Sequence, residues 1–313
     1  MRVLVTGAAG FVGRHLIRAL LDDPQVSVAA TGLGGELPVG AADERLSWHA
    51  MDVTSTESLR ATIGAVRPDR VYHLAGQSSV GGSFRAPVQT WEINALGTVR
   101  LLRAMGEEGL ASSRALVVSS AEVYGAVAPE AQPIGEGAPL HPVSPYGASK
   151  AAAELAGLQA AAAGEVEVVV ARSFNHTGPG QDERFVLPSM ARQLTRLRAS
   201  AAVDPVLHVG NLEVWRDFLD VRDVVRAYID LVERGTSGEV YNVCSGVARS
   251  LAELVKLLVE LSGTGARVEV DPERVRPVDV PLLVGSAERL QSLGWRPSIP
   301  LEQTLGDLLS AAA

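Results

Sequence analysis

Cysteine is nearly missing from this 313-residue chain; Cys244 is the only one. No internal disulfide can form, which suits a reducing compartment and excludes a disulfide-stapled secreted scaffold. Cys244 ends the apolar run Val240-Tyr241-Asn242-Val243-Cys244 and reads as a buried structural thiol. Long hydrophobic runs are missing as well. Hydrophobic residues make up 47% of the chain, yet no stretch approaches the roughly 18 apolar residues of a membrane span. The N-terminus enters a strand directly, with no basic segment followed by an apolar one. No signal peptide is expected, and the cytoplasm is the expected location. Positive charge is in deficit. A net charge of −8 argues against a nucleic-acid or anionic-membrane surface. Any phosphate site must then rest on placed arginines and helix N-termini. No His/Cys/Asp/Glu cluster has metal-ligand spacing, so no metal is expected, and there is no internal repeat.

What is present is alternation. Val26 to Ala30, Val71 to Leu74, Leu116 to Ser119 and Val166 to Ala171 read as buried parallel strands. Residues 55–66, 88–105 and 145–163 read as helices between them. This pattern predicts an α/β, doubly wound parallel sheet. After Arg172 the elements become shorter and mixed, with helical runs near 185–199, 221–234 and 250–261. The expected division is residues 1–172 for the sheet domain and 173–313 mainly for a smaller mixed α/β lobe. Segments at about 210–245 are expected to return to the first domain.

Two motifs carry chemistry. Arg2-Val3-Leu4-Val5-Thr6 runs into Gly7-Ala8-Ala9-Gly10-Phe11-Val12-Gly13 and then a helix. A strand, a glycine turn and a helix N-terminus make a seat for a pyrophosphate, since the glycines let backbone approach the ligand. Tyr146 and Lys150 lie four apart in an alanine-rich helical run, so phenol and ammonium share one face. A lysine cation beside a tyrosine favours the tyrosinate and lowers a pKa that is otherwise near 10. The pair then suits acid–base work on a carbonyl or alcohol.

With Ser120, these motifs resemble the extended short-chain dehydrogenase/reductases that act on nucleotide sugars, which have a Rossmann-type sheet. Four stretches carry the resemblance further: Ser119 to Gly125, Arg172 to Gln181, Arg216 to Asp223 and Arg276 to Asp279. Within that family they look most like the GDP-4-keto-6-deoxy-mannose reductases, and next the GDP-mannose 4,6-dehydratases. The resemblance implies NADPH or NADH held by Gly7, Gly10, Phe11, Val12, Gly13, Asp52, Val53, Leu74, Ala75, Gly76, Asn94 and Ser119, together with Tyr146 and Lys150. Thr31 to Glu36 carries neither the early acid that favours NAD nor the arginine that marks NADP, so the cofactor preference stays open. The resemblance makes Ser120, Tyr146 and Lys150 catalytic. It assigns the nucleotide-sugar substrate to Ser78, Ser120, Asn175, Arg184, Arg216, Arg276 and Asp279. Glu122 stands where related dehydratases keep the base that removes a proton from carbon 5. Ala121 replaces the Ser or Asp those enzymes carry beside it, which weighs toward reductase. The family also implies a homodimer through a four-helix bundle of residues 91–105 and 145–163.

Overall fold

Short valine- and leucine-rich runs separated by helices pair in parallel, because each helix carries the chain back to the end of the sheet where the next strand begins. The computed structural model of this protein describes residues 1–34, 43–200, 203–274 and 280–312. Its main sheet uses β1 (Arg2–Thr6), β2 (Ser27–Gly32), β3 (Leu46–Ala50), β4 (Arg70–His73), β5 (Arg114–Ser120) and β6 (Glu167–Ser173). β7 (Asn175–Thr177), β8 (Val206–Val209) and β9 (Trp215–Asp220) lie elsewhere, and β10 (Val240–Val243) comes back to the edge beside β6. The order β3-β2-β1-β4-β5-β6-β10 is parallel throughout. Val3, Leu4 and Val5 of β1 are fully buried, so both faces of the sheet are covered. Strand order reverses between β1 and β4, and the crevice at their carboxyl ends is where ligands bind in such sheets.

The helices between strands are α1 (Phe11–Leu21), α2 (Thr56–Val66), α3 (Val80–Arg85), α4 (Pro87–Trp91), α5 (Gly97–Glu107) and α6 (Pro145–Ala162). Ser55 and Ser144 cap α2 and α6, each accepting from a backbone N–H in the first turn, and Pro145 sets the opening φ of α6. The expected helix over 88–105 is helical from Pro87 to Glu107, with a π turn within it. Pro87 starts α4, a π turn takes up Glu92–Leu96, and α5 follows from Gly97. Periodicity alone does not reveal such an inserted residue, and π turns concentrate at functional sites.

The second half builds a lobe with its own core. β7, β9, β11 (Ala248–Ser250) and β13 (Leu282–Leu283) form a mixed sheet around β9, and β8 pairs with β12 (Arg267–Val270). Helices α7 (Val186–Ala199), α9 (Leu251–Ser262) and α11 (Leu301–Ala311) enclose Leu187, Leu194, Leu207, Leu258 and Leu305. α8 (Val221–Arg234), capped by Asp220, returns to the main sheet with Val224, Tyr228, Leu231 and Val232 buried. Each such side chain contributes on the order of 1.5–3 kcal/mol through burial. Leu290 of α10 (Glu288–Ser292) and Trp295 join the same core. Among the described residues, no helix is long and apolar enough to cross a membrane, and no cluster could hold a metal ion. Cys244 is fully buried, and burial pushes its thiol well up.

Candidate active site

The glycine turn begins where β1 ends. Gly7 has φ +64°, and a Cβ there would lie 2.7 Å from the Ala75 nitrogen. A Cβ on Gly13 would stand 2.6 Å from the Ala8 carbonyl, so Gly13 lets α1 close on the turn. Gly10 is exposed and serves as the N-cap of α1 with no side-chain cap. The first turn of α1 holds no acid, so its free N–H groups keep their positive partial charge. This cradle fits a dinucleotide pyrophosphate. Val12 packs on the main core, while the Phe11 ring stacks on His176 with centroids 6.2 Å apart. His15 and Arg14 of α1 reach the carbonyls of Pro179 and Gly180, both at 2.9 Å.

From Gly7 the site continues along the end of β4. Leu74, Ala75 and Gly76 follow the strand, and a Cβ on Gly76 would meet Asn94 Oδ1 at 3.1 Å and Lys150 Nζ at 3.5 Å. The glycine turn, the β4 end, the π turn and α6 are therefore contiguous. Val53 is buried against Gly97, and Asp52 Oδ1 accepts from the Thr54 amide and hydroxyl, both at 2.8 Å. Ser78 is exposed in the loop before α3. Among the described residues, two buried polar atoms of this wall, Ser119 Oγ and Gln77 Oε1, have no hydrogen-bond partner.

β5 delivers Ser120, which is 8% exposed and opens a 3₁₀ turn over Ala121–Val123. Its hydroxyl accepts from the Glu122 amide at 3.2 Å and lies near enough to the Tyr146 phenol to favour its ionised form. Gly147 lets α6 rest on that turn, since a Cβ there would fall 2.6 Å from the Glu122 carbonyl. The expectation that Lys150 lowers the tyrosine pKa is corrected. Burial pushes Tyr146 up to about 12; the nearby Ser120 opposes this and the Glu122 charge adds to it. Lys150 donates to the Val118 carbonyl at 2.8 Å, and burial lowers its pKa to about 8. Desolvation of the phenol is the largest influence on Tyr146, and it outweighs the opposing effect of Ser120.

β6, next to β5, leads through β7 to the second ligand region. Asn175, Arg184 and Arg216 line one cleft of ≈ 310 Å³. Arg184 is exposed and paired with Asp182 at 2.9 Å; Arg216 donates to the Trp215 carbonyl at 3.0 Å. Arg276, Asp279 and Glu36 lie outside the described residues. The sequence reading missed Phe185, Asn211 and Arg274, which line the same cleft. Gln193 was missed too. Its side-chain amide donates to the His208 carbonyl at 3.0 Å and accepts from the His208 amide at 3.2 Å, which holds β8 against α7. Arg274, two residues before Arg276, is the one the sequence could have signalled.

Fold and site together define an oxidoreductase of the extended short-chain dehydrogenase/reductase class. Residues 4–308 match the family described as GDP-mannose 4,6 dehydratase, and the chain belongs to that family. It is 41% identical over 310 residues to GDP-6-deoxy-D-mannose reductase of Pseudomonas aeruginosa, covering 99% of this chain and 96% of that one. In structure it is similar to RMD from Pseudomonas aeruginosa complexed with NADPH, with TM-score 0.86, 38% identity, and 99% and 98% of the two chains covered. It is also similar to UDP-glucose 4-epimerase of Thermotoga maritima with UDP-glucose, with TM-score 0.89, 27% identity, and 99% and 98% covered.

Proposed function

We propose that this chain uses NADPH or NADH to reduce the 4-keto group of a GDP-4-keto-6-deoxy sugar, in the manner of GDP-4-dehydro-6-deoxy-D-mannose to GDP-D-rhamnose. The observation that carries the reading is Ser120 beside the Tyr146 phenol, with Lys150 one turn on, between a bare glycine turn and an arginine-lined cleft. The 41% identity to a reductase and the bare Ala121 support reduction over dehydration. The NADPH in the Pseudomonas structure supports NADPH as the first cofactor to try.

When bound, the reduced nicotinamide supplies a hydride to carbon 4 of the sugar. Ser120 orients the keto oxygen and stabilises it as negative charge builds. Tyr146 passes its phenolic proton to that oxygen, and a pKa near 12 keeps the proton in place at neutral pH, the state a reduction needs. The Lys150 ammonium holds the cofactor's ribose and offsets the charge left on Tyr146. Gly7, Gly10, Phe11, Val12 and Gly13 seat the pyrophosphate, with Asp52, Val53, Leu74, Ala75, Gly76, Asn94 and Ser119 around the rest of the dinucleotide. Ser78, Asn175, Arg184 and Arg216 take the nucleotide sugar, and Arg276 and Asp279 join them on the strength of the resemblance. Arginine forks suit a diphosphate.

The test is loss of nicotinamide absorbance with purified protein, NADPH or NADH, and GDP-4-keto-6-deoxy-mannose. Stoichiometric loss is expected, and Tyr146→Phe should reduce turnover by about 10²–10⁴-fold while cofactor still binds. Near wild-type turnover by Tyr146→Phe overturns the assignment. A second reading, a 4,6-dehydratase, is favoured by the Glu122 charge acting on Tyr146. It predicts conversion of GDP-mannose to a keto sugar without added reductant.

The homodimer belongs to the same proposal. Trp91, Leu96 and Val99 in the first bundle segment and Leu155 on α6 are large apolar side chains left exposed on helices that would form the bundle. Light scattering at micromolar concentration should give twice the chain mass, and a monomer removes the bundle.

A further inference from the structure

We infer that His73 is a positioning residue that ties the cofactor floor to the catalytic helix, held as the neutral imidazole with its proton on Nε2. The inference rests on the dinucleotide reading of the glycine turn. Its basis is a chain of buried hydrogen bonds whose directions can be worked out one by one.

Thr98 Oγ1 donates to the Asn94 carbonyl at 2.7 Å, which commits its only proton. His73 Nε2 lies 3.1 Å from that hydroxyl and must therefore donate to it. His73 Nδ1 is then the bare nitrogen, and it accepts from Thr6 Oγ1 at 2.8 Å. Thr6 Oγ1 in turn accepts from the Ala75 amide at 3.0 Å. Each hydroxyl in the series donates once and accepts once, and each ring nitrogen makes one bond. Thr6, His73, Asn94 and Thr98 are each at most 4% exposed, so no solvent competes for these bonds. Burial, with the Lys150 cation adding to it, lowers the His73 pKa to about 3 and keeps the ring neutral.

The two ends of this chain are the parts of the site that must stay in register. One end is the Ala75 amide, on which Gly7 closes. The other is Asn94 in the π turn, whose side chain accepts from the Gln77 amide at 2.8 Å and donates to Ser149 Oγ at 3.0 Å. Ser149 then donates to the Tyr146 carbonyl at 2.7 Å. A brace for the sheet alone has no need to end on the helix that carries Tyr146 and Lys150. The imidazole is the one rigid link, with two nitrogens of opposite role facing two hydroxyls.

The test compares wild type, His73→Leu and His73→Gln by NADPH fluorescence titration, GDP calorimetry and thermal denaturation. His73→Leu leaves two buried hydroxyls without their partner, and the NADPH dissociation constant should rise about tenfold or more. GDP, bound through the other lobe, should change by less than about twofold. A glutamine amide can accept from Thr6 and donate to Thr98, so His73→Gln should stay within about threefold of wild type for NADPH. NADPH affinity unchanged in His73→Leu, or NADPH and GDP weakened alike, overturns the positioning role. If His73→Leu does not fold, imidazole ¹⁵N shifts of the wild type decide. A protonated Nε2 and bare Nδ1 support the role, and the opposite tautomer or a cationic ring at neutral pH overturns it. Wild type that binds no NADPH overturns the dinucleotide reading itself, a result distinct from all of these.

Discussion

Glu154 and Arg172 form a buried ion pair behind the site, and breaking it tests how the site is held. Their side chains are 1% and 6% exposed. Arg172 Nε donates to Glu154 at 3.0 Å, its Nη2 makes a short second bond to the same carboxylate, and its Nη1 donates to the Tyr124 hydroxyl at 2.9 Å and the Glu136 carbonyl at 2.8 Å. The guanidinium also lies over the Tyr124 ring, 4.9 Å from its centroid. Glu154→Ala deletes the acceptor of two of these nitrogens and leaves a lone cation inside. Buried pairs broken in this way cost about 3–5 kcal/mol. That is a large share of a stability of about 5–15 kcal/mol. Replacing both partners, as Glu154→Leu with Arg172→Met, removes the stranded charge. Tyr124 keeps its bond to Asn242 Oδ1 at 2.7 Å, so the double variant should be more stable than Glu154→Ala alone. Urea denaturation of the three proteins gives the comparison through midpoint and slope. A loss below about 1 kcal/mol for Glu154→Ala, or a double variant weaker than the single one, would refute the argument, because the charge would then have found water or another partner. Activity should fall as well, since Glu154 lies one turn beyond Lys150 and Tyr124 follows the turn that carries Glu122.

Glu122→Gln separates the two chemical readings. A reductase keeps turnover within about threefold, whereas an enzyme using Glu122 as its base loses about 10²–10⁴-fold, measured with the keto sugar and with GDP-mannose respectively. Because the Glu122 charge raises the Tyr146 pKa, the same variant should move the tyrosine's alkaline limb to lower pH. Gly7→Ala places a side chain at φ +64° and 2.7 Å from a backbone nitrogen. The left-handed conformation costs about 1–2 kcal/mol and the forced repacking about 1–3 kcal/mol, read as a lower melting midpoint and weaker NADPH binding. In wild type the Lys150 cation is lost as pH rises through about 8, so turnover should begin to fall there, well before Tyr146 ionises near 12. A profile flat past pH 9 in the substrate-saturated rate would sink that assignment of about one charge to the limb.

Legibility in the sequence followed the range of the contacts involved. β1, the glycine turn and α1 form from neighbouring residues, and so does the Tyr146/Lys150 face of α6. The strands at Val71, Leu116 and Val166 are buried on both faces, so their apolar runs signalled them directly. The arginine-lined cleft is different. Arg184, Asn211, Arg216 and Arg274 come from separate elements, and no periodicity links them. Glu154 in an alanine-rich helix reads as a surface charge until β6 brings Arg172 beside it. The high Tyr146 pKa was misread for a related reason. Spacing placed a lysine near, but only the fold shows the phenol desolvated and the Glu122 charge beside it. The π turn was hidden because one extra residue leaves the hydrophobic pattern of 88–105 intact.

The path of the chain between its two cores bears on how such an enzyme can change over generations. After building the second lobe's first helix, the chain returns to the sheet with α8 and β10, leaves for α9, comes back with Leu290 and Trp295, and ends in α11 on the far core. No single cut among the described residues yields two halves that each keep a complete interior. Recombination of ready-made modules is therefore closed to this architecture as a route to new substrates. Novelty has to come from point changes in the cleft lining, while the rest of the ancestry is inherited whole.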